Sequence, residues 1–215
     1  MPDEIIVVND GGTPDLREML LALPRKCPII YARIDQDILW NYNGAVNLGF
    51  WISRGDLIAI EDTDHIPSRD AYENAIQVLK DNPSVSRICF QRNVVDVKDV
   101  LSKPMIEWQA ERQWGPNQMV SILRREVYSK MKGQDERFCG QYGWMTYDWV
   151  FRYKKMAKIE SQLVNSYWAV IDGGEPGLVR GMSPKNHGFY QENARLERLQ
   201  PPGGILNFTY SLEIL

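Results

Sequence analysis

The sequence predicts an α/β fold: a single domain with a mainly parallel central sheet and helices on both faces. Three observations carry this. Short apolar runs are bounded by Gly, Asp and Pro, the pattern of strands buried on both faces. Over residues 1–100 these runs alternate with amphipathic stretches, which implies parallel strands joined by crossover helices. The run Leu57-Ile58-Ala59-Ile60 stops abruptly at Glu61-Asp62-Thr63-Asp64-His65. That places carboxylates beyond the carboxyl end of a strand, where open α/β sheets bind ligands.

The elements follow in order. Glu4 to Val8 is a β-branched strand ending at Asn9-Asp10-Gly11-Gly12. Thr13 then caps a helix, with Pro14 at its first position and Met19, Leu20 and Leu23 on one face. Ile29 to Ile34 is a second strand. Asn43 to Ser53 is helical, with Ala45, Leu48, Gly49 and Ile52 forming a face of small and apolar residues. After the acidic turn, Ser68 caps a helix aligning Tyr72, Ile76 and Leu79, and Val85 to Gln91 is again a strand.

The second half is less regular. Met119 to Leu123 reads as a strand, Arg125 to Met131 and Trp149 to Ala157 as helices, and Tyr167 to Ile171 as a strand. Gly173 to Gly177 and Pro201 to Gly204 read as loops. There is no internal repeat, so 1–215 is expected to be one domain. Residues 1–100 would be its ligand-binding half and 101–200 a second half.

Composition narrows the function. Lys and Arg total 25 against 28 Asp and Glu, which removes the electrostatic case for nucleic acid as a partner. Cys27, Cys89 and Cys139 are odd in number and lack metal-site spacing, so reduced thiols and a cytoplasmic setting are expected. The chain shows no signal-peptide pattern and no apolar run of membrane-spanning length. The basic stretch Arg152 to Lys158 reads as a solvated helix face, and peripheral membrane contact is not favoured. Asp62 and Asp64, two residues apart at a strand end, can converge on one hard divalent cation, which carboxylates share with substrate phosphates.

The order of these pieces resembles the GT-A (Rossmann-like) glycosyltransferases, especially the large family 2 group. Glu4-Ile5-Ile6-Val7-Val8-Asn9-Asp10-Gly11-Gly12 is similar to that family's E-I-I-V-V-D-D-G-S strand and turn. Asn47-Leu48-Gly49 matches its N-x-G helix, and Asp62-Thr63-Asp64 falls where its D-x-D belongs. Arg125-Glu126 followed by Asp135-Glu136-Arg137-Phe138-Cys139-Gly140 resembles its acceptor-side segment, continued by Gly143-Trp144, Asp148 and Arg152. The resemblance implies a nucleoside-diphosphate-sugar donor: a UDP-sugar first, with GDP or TDP sugars as alternatives. Asp10 would contact the base or ribose. Asp62 would approach the ribose or the metal shell, and Asp64 would ligate Mn²⁺ or Mg²⁺. His187 sits where relatives often place a metal-binding histidine, the alternative being a loop histidine. Trp108, Trp114, Tyr142, Trp144 and Trp149 would supply flat faces for a sugar acceptor, Trp144 foremost; for each, a core position is the competing reading.

Two departures from the family pattern matter. The family places E-D after G-W, its Asp serving as general base, whereas this chain has Met145-Thr146. Asp148 is the nearest carboxylate and is expected as the base, the alternative being an ion pair with Arg152 one helical turn on. The family's first strand, of I-I-P-T-Y-N type, is also missing from the start. Residues 203–215, with Asn207-Phe208-Thr209-Tyr210, resemble that strand moved to the C-terminus in a circular permutation. Thr209 and Tyr210 would then border the nucleotide; the competing reading is an unrelated edge strand.

The function so implied is metal-dependent transfer of a sugar to an acceptor hydroxyl. A catalytically silent GT-A-like nucleotide-binding module is the alternative, favoured by Met145-Thr146. A haloacid-dehalogenase-like phosphatase also uses D-x-D, but on the first strand and with Thr or Val where this chain has Ile66.

Overall fold

A computed structural model describes residues 2–171 and 181–215. β1 (Ile5–Asn9), α1 (Arg17–Ala22), β2 (Ile29–Ile34) and α2 (Tyr42–Ile52) open the chain. β3 (Leu57–Ile60) and β4 (His65–Pro67) flank the acidic turn. α3 (Ala71–Asp81), β5 (Val85–Asp96) and α4 (Val97–Ser102) come next. A 3-10 turn at Met105–Glu107 leads to β6 (Arg112–Trp114), β7 (Ser121–Arg124) and α5 (Arg125–Met131). A second such turn, Glu136–Phe138, precedes α6 (Met145–Phe151), which runs into a π turn at Arg152–Met156. β8 (Glu160–Ile171), α7 (Pro184–Arg195) and β9 (Tyr210–Ile214) follow.

Most elements stand where the apolar pattern puts them, and two differences concern how helices begin. α1 starts at Arg17 instead of Pro14, with Asp15 Oδ1 accepting the Arg17 N–H at 3.0 Å. Residues 183–190 received no element from the sequence, yet they open α7. Ser183 accepts the Asn186 N–H at 3.2 Å and Pro184 takes the first helical position, a complete helix-start signature. The loop expected at Gly173 to Gly177 lies outside the described residues.

The described residues fall into two compact units, one with residues up to 58, 128–157 and 181–215, the other with 59–127 and 158–171. The first holds the sheet β1-β2-β9. β1 and β2 are parallel, Ile5 opposite Ile29 and Asn9 opposite Arg33. Alternation along β2 sorts its side chains between two helices: Ile29 and Tyr31 pack with Leu20 of α1, Ala32 and Ile34 with Leu48 of α2. Here the expected helices on both faces are found.

β9 corrects the expected permutation. It runs antiparallel to β2, pairing Ile30 with Ile214 and Ile34 with Tyr210. A relocated first strand would run parallel to its neighbours. β9 is an added edge strand, tied to α1 by Glu213, which takes a two-pronged salt bridge from Arg17 at 2.6 and 2.7 Å.

The second unit holds the sheet ordered β3-β7-β5-β8-β4, with β6 on β5. Its spine is the long parallel pair β5 and β8, whose register shifts opposite Gln91/Arg92, where β8 carries one extra residue. β6 and β7 pair antiparallel with β5, and β4 antiparallel with β8. The sheet is therefore mixed where a mainly parallel one was expected. Parallel neighbours need a crossover of a dozen or more residues, usually helical, and strand–helix alternation lapses after β5. α3 lays Ala71, Ala75 and Leu79 inward, and the Phe90 and Tyr167 rings pack 4.1 Å apart between β5 and β8.

Candidate functional site

The acidic turn lies in the second unit. The Asp62 carbonyl accepts the His65 N–H at 3.0 Å, folding residues 62–65 tightly. Asp62 Oδ2 accepts from Asn117 Nδ2 at 2.7 Å, which fixes its carboxylate. Asp64 Oδ1 lies 2.6 Å from His65 Nδ1, and the other ring nitrogen, Nε2, lies 3.2 Å from Arg92 Nη1. The hydrogen bond from His65 holds the Asp64 carboxyl below its ordinary value, against a smaller upward push from burial. The Asp64 side chain is 67% exposed, whereas that of His65 is 4% exposed. Among the described residues, Asp62, Asp64 and His65 each bring a ligand atom within 4.8 Å of the others.

This set fits a hard divalent cation. Two carboxylates at a strand end leave room for the phosphate oxygens and waters that complete such a shell. His65 would stand beside such a cation, since both of its ring nitrogens are engaged by Asp64 and Arg92. Glu61, next in the chain, does something else. Its Oε1 accepts from Tyr72 at 3.0 Å and, through a short bond, from Tyr167. Burial of its inner flank pushes the carboxyl up to about 7, although its outer flank meets solvent. Glu61 anchors the start of the turn to α3 and β8.

Asp10, Trp144, Asp148, His187, Thr209 and Tyr210 belong to the first unit. Asp10 is exposed in the turn after β1. Asn9 shapes that turn, its side chain accepting the Gly11 N–H at 3.1 Å. Gly11 has φ +96° and approaches Gln36 so closely that a Cβ would sit 2.4 Å from its carbonyl. Thr209 clasps the same Gln36, accepting from its Nε2 at 2.9 Å and donating its backbone N–H to Oε1 at 3.1 Å. So the Asp10 turn and Thr209 gather around one residue. Tyr210 pairs with Ile34 and packs on the Leu48 cluster, which places it in the sheet's support.

Trp144 and His187 come together: their rings stack at 4.0 Å, and Tyr190 stacks on Trp144 at 5.4 Å. Trp144 holds φ +66°, a left-handed conformation unusual for a bulky residue, at the start of α6. Trp149, expected on an acceptor face, is a core residue, 2% exposed and packed against Tyr128 and Tyr153. Trp108 meets Trp168 edge-on, Tyr142 meets Trp40 edge-on, and the guanidinium groups of Arg92 and Arg112 lie 5.3 and 5.1 Å from the centre of the Trp114 ring.

Asp148 is not placed to act as a base. It is 1% exposed, with Oδ2 held by Arg152 Nε at 2.7 Å and Oδ1 by Asn193 Nδ2 at 2.7 Å. A general base must lie within hydrogen-bond reach of the proton it removes. With both oxygens engaged in the interior, Asp148 is half of a buried ion pair.

Sequence reasoning missed Arg92 and Asn117. A signal existed for each: Gln91-Arg92-Asn93 interrupts an apolar strand, and Asn117 follows Gly115-Pro116 in a turn whose carboxamide is free to face the acidic residues.

The sequence profile of glycosyl transferase family 2 matches residues 1–151. A search of curated sequences returned no significant match. Among solved structures, the chain is similar to S. aureus TarS residues 1–349 in complex with UDP-GlcNAc: TM-score 0.68, 12% identity, 92% of this chain and 58% of that one covered. It is also similar to GalNAc-T7 with UDP, GalNAc and Mn²⁺: TM-score 0.58, 11% identity, 91% of this chain and 45% of that one. At such identities the likeness is one of fold, and the chain spans about half the length of these structures.

Proposed function

Because the chain belongs to glycosyl transferase family 2, we propose that it transfers a sugar from a nucleoside-diphosphate sugar to an acceptor hydroxyl with the help of a divalent cation. The observation that carries this is the convergence of Asp62 and Asp64 at the end of β3. UDP is the first candidate nucleotide, since both similar structures hold UDP or a UDP-sugar. GDP and TDP remain to be compared with it.

Asp64 is the principal metal ligand in this reading, with Asp62 beside it, oriented by Asn117. A bound Mn²⁺ or Mg²⁺ would neutralise charge on the departing diphosphate. Asp10, exposed beside Gly11, contacts the nucleoside, and Thr209 supports that edge through Gln36. Trp144 offers its ring to the acceptor; the stack with His187 and Tyr190 holds it in place. The assignment of metal ligands rests on Asp62 and Asp64 and does not need His187. No carboxylate is assigned as base: Met145 and Thr146 occupy the usual position, and Asp148 is sealed.

Titration calorimetry with UDP, GDP and TDP, each with and without Mn²⁺, tests the donor site on wild type and Asp64→Ala. Mn²⁺-dependent binding of one nucleotide, lost in the variant, is expected. Absence of binding by all three sinks the reading. The sealed Asp148 and Met145-Thr146 also favour a second reading, a nucleotide-binding module without turnover. Release of UDP from a UDP-sugar under single-turnover conditions would rule against that module.

A further inference from the structure

We propose that Arg92 is a positioning residue for the metal carboxylate Asp64, acting through His65 held as its Nδ1–H tautomer. The inference rests on the reading of Asp64 as a metal ligand. A guanidinium has donors and no acceptor, so across 3.2 Å His65 Nε2 must accept from Arg92 Nη1. An imidazole that accepts at Nε2 carries its proton at Nδ1, which lies 2.6 Å from Asp64 Oδ1 and donates to it. The chain of bonds therefore has one direction: Arg92 to His65 to Asp64.

Each link is braced. Arg92 Nε donates to the Gly115 carbonyl at 2.8 Å, and its guanidinium lies 5.3 Å from the centre of the Trp114 ring. Opposite it the β5–β8 register skips one residue of β8, Gln91 facing Asn165 and Arg92 facing Tyr167. His65 is fixed through its N–H to the Asp62 carbonyl and by its pairing with Ala169 on β8. Histidine–carboxylate bonds around metals orient the ligand, and loss of such outer partners typically weakens metal binding about 10–100-fold. Here the histidine is the outer partner and the arginine anchors its ring at Nε2.

Charge and positioning predict opposite signs, which makes the idea testable. Removal of a positive charge beside two carboxylates would, by Coulomb's law alone, tighten Mn²⁺ binding. Loss of the positioning bond weakens it. Nitrogen-15 NMR of the imidazoles reads the tautomer directly; the chain has 2 histidines, and His187→Gln assigns them. Wild type is expected to show Nδ1–H at His65. Arg92→Met is expected to free Nε2, read as a shift of its nitrogen-15 resonance while Nδ1 keeps the proton it gives Asp64, and to bind Mn²⁺, measured with UDP present, roughly 10-fold more weakly. Arg92→Lys, which still donates to Nε2, is expected to keep the tautomer and most of the affinity; circular dichroism confirms folding. An Nε2–H signal in wild type overturns the proposal even if Arg92→Met fails to fold. So does unchanged or tighter Mn²⁺ binding by folded Arg92→Met while wild type binds normally. If wild type binds no Mn²⁺, the metal reading of Asp64 falls, and the positioning role with it.

Discussion

Two groups of aspartates, one in each unit, are built on opposite plans. Asp135 and Asp148 in the first are each 1% exposed and doubly held. Arg137 grips Asp135 through Nε and Nη2, Arg152 grips Asp148, and the Asn193 carboxamide bridges the two at 3.0 and 2.7 Å. Asp62 and Asp64 in the second unit are steadied by Asn117 and His65, and Asp64 stays open to solvent. The difference teaches that a carboxylate's task depends on how many of its oxygens the protein has already engaged. A structural aspartate has none left for a ligand.

The largest expected effect tests the sealed group. Asp148→Ala leaves Arg152, itself 1% exposed, as an unpaired buried charge, and should cost about 3–5 kcal/mol in urea denaturation. If stability holds and only turnover falls, the contrast breaks and Asp148 is the base after all. Asn47→Ala should cost less, about 2–3 kcal/mol. It removes bonds from Nδ2 to the Gln134 carbonyl and Glu136 at 2.9 and 2.8 Å and strands the Tyr128 hydroxyl and Gln134 N–H that Oδ1 accepted.

A pH series sharpens the contrast within the sealed group. Burial pushes the Asp135 carboxyl up, but Arg137 and then Asn193 outweigh it and hold it below its ordinary value. The stability it adds is present above about pH 4 and disappears as pH falls through its depressed folded value. Burial dominates at Asp148 and raises it, so ionisation there costs stability as pH rises above about 4 towards the raised value. Asp135→Asn should flatten the acid limb of a pH–stability curve, and retention of the full limb would count against this assignment. The smallest effect on stability belongs to the open group. Asp64→Asn should shift unfolding by no more than about 0.5 kcal/mol while removing Mn²⁺-dependent nucleotide binding. A large loss of stability would place Asp64 among the structural aspartates.

Much of the fold was legible because local pattern and tertiary environment agree. β2 and β3 are apolar runs between turn residues, and each is a strand as read. The acidic turn was equally plain, since its meaning lies in adjacency along the chain. What escaped depends on long-range pairing. Nothing local distinguishes a parallel first strand from an antiparallel edge in Tyr210–Ile214; the register with β2 decides it. Asp148 and Arg152 announced an ion pair by their helical spacing, but Asn193, which occupies the remaining oxygen, lies 45 residues away. Trp149 and Trp144 look alike in sequence, and only packing makes one a core residue and leaves the other partly open.

The pairing of β9 with β2 also bears on how the chain is made. Ile30 waits for Ile214 while everything between them is synthesised. Throughout elongation β2 carries an unpaired, apolar edge, a template for joining another chain's strand. Contacts so distant in sequence close slowly, and the nascent chain is exposed to misassembly for the whole interval. Low temperature and abundant chaperones during expression should therefore improve the yield of folded protein more than any substitution in the acidic turn.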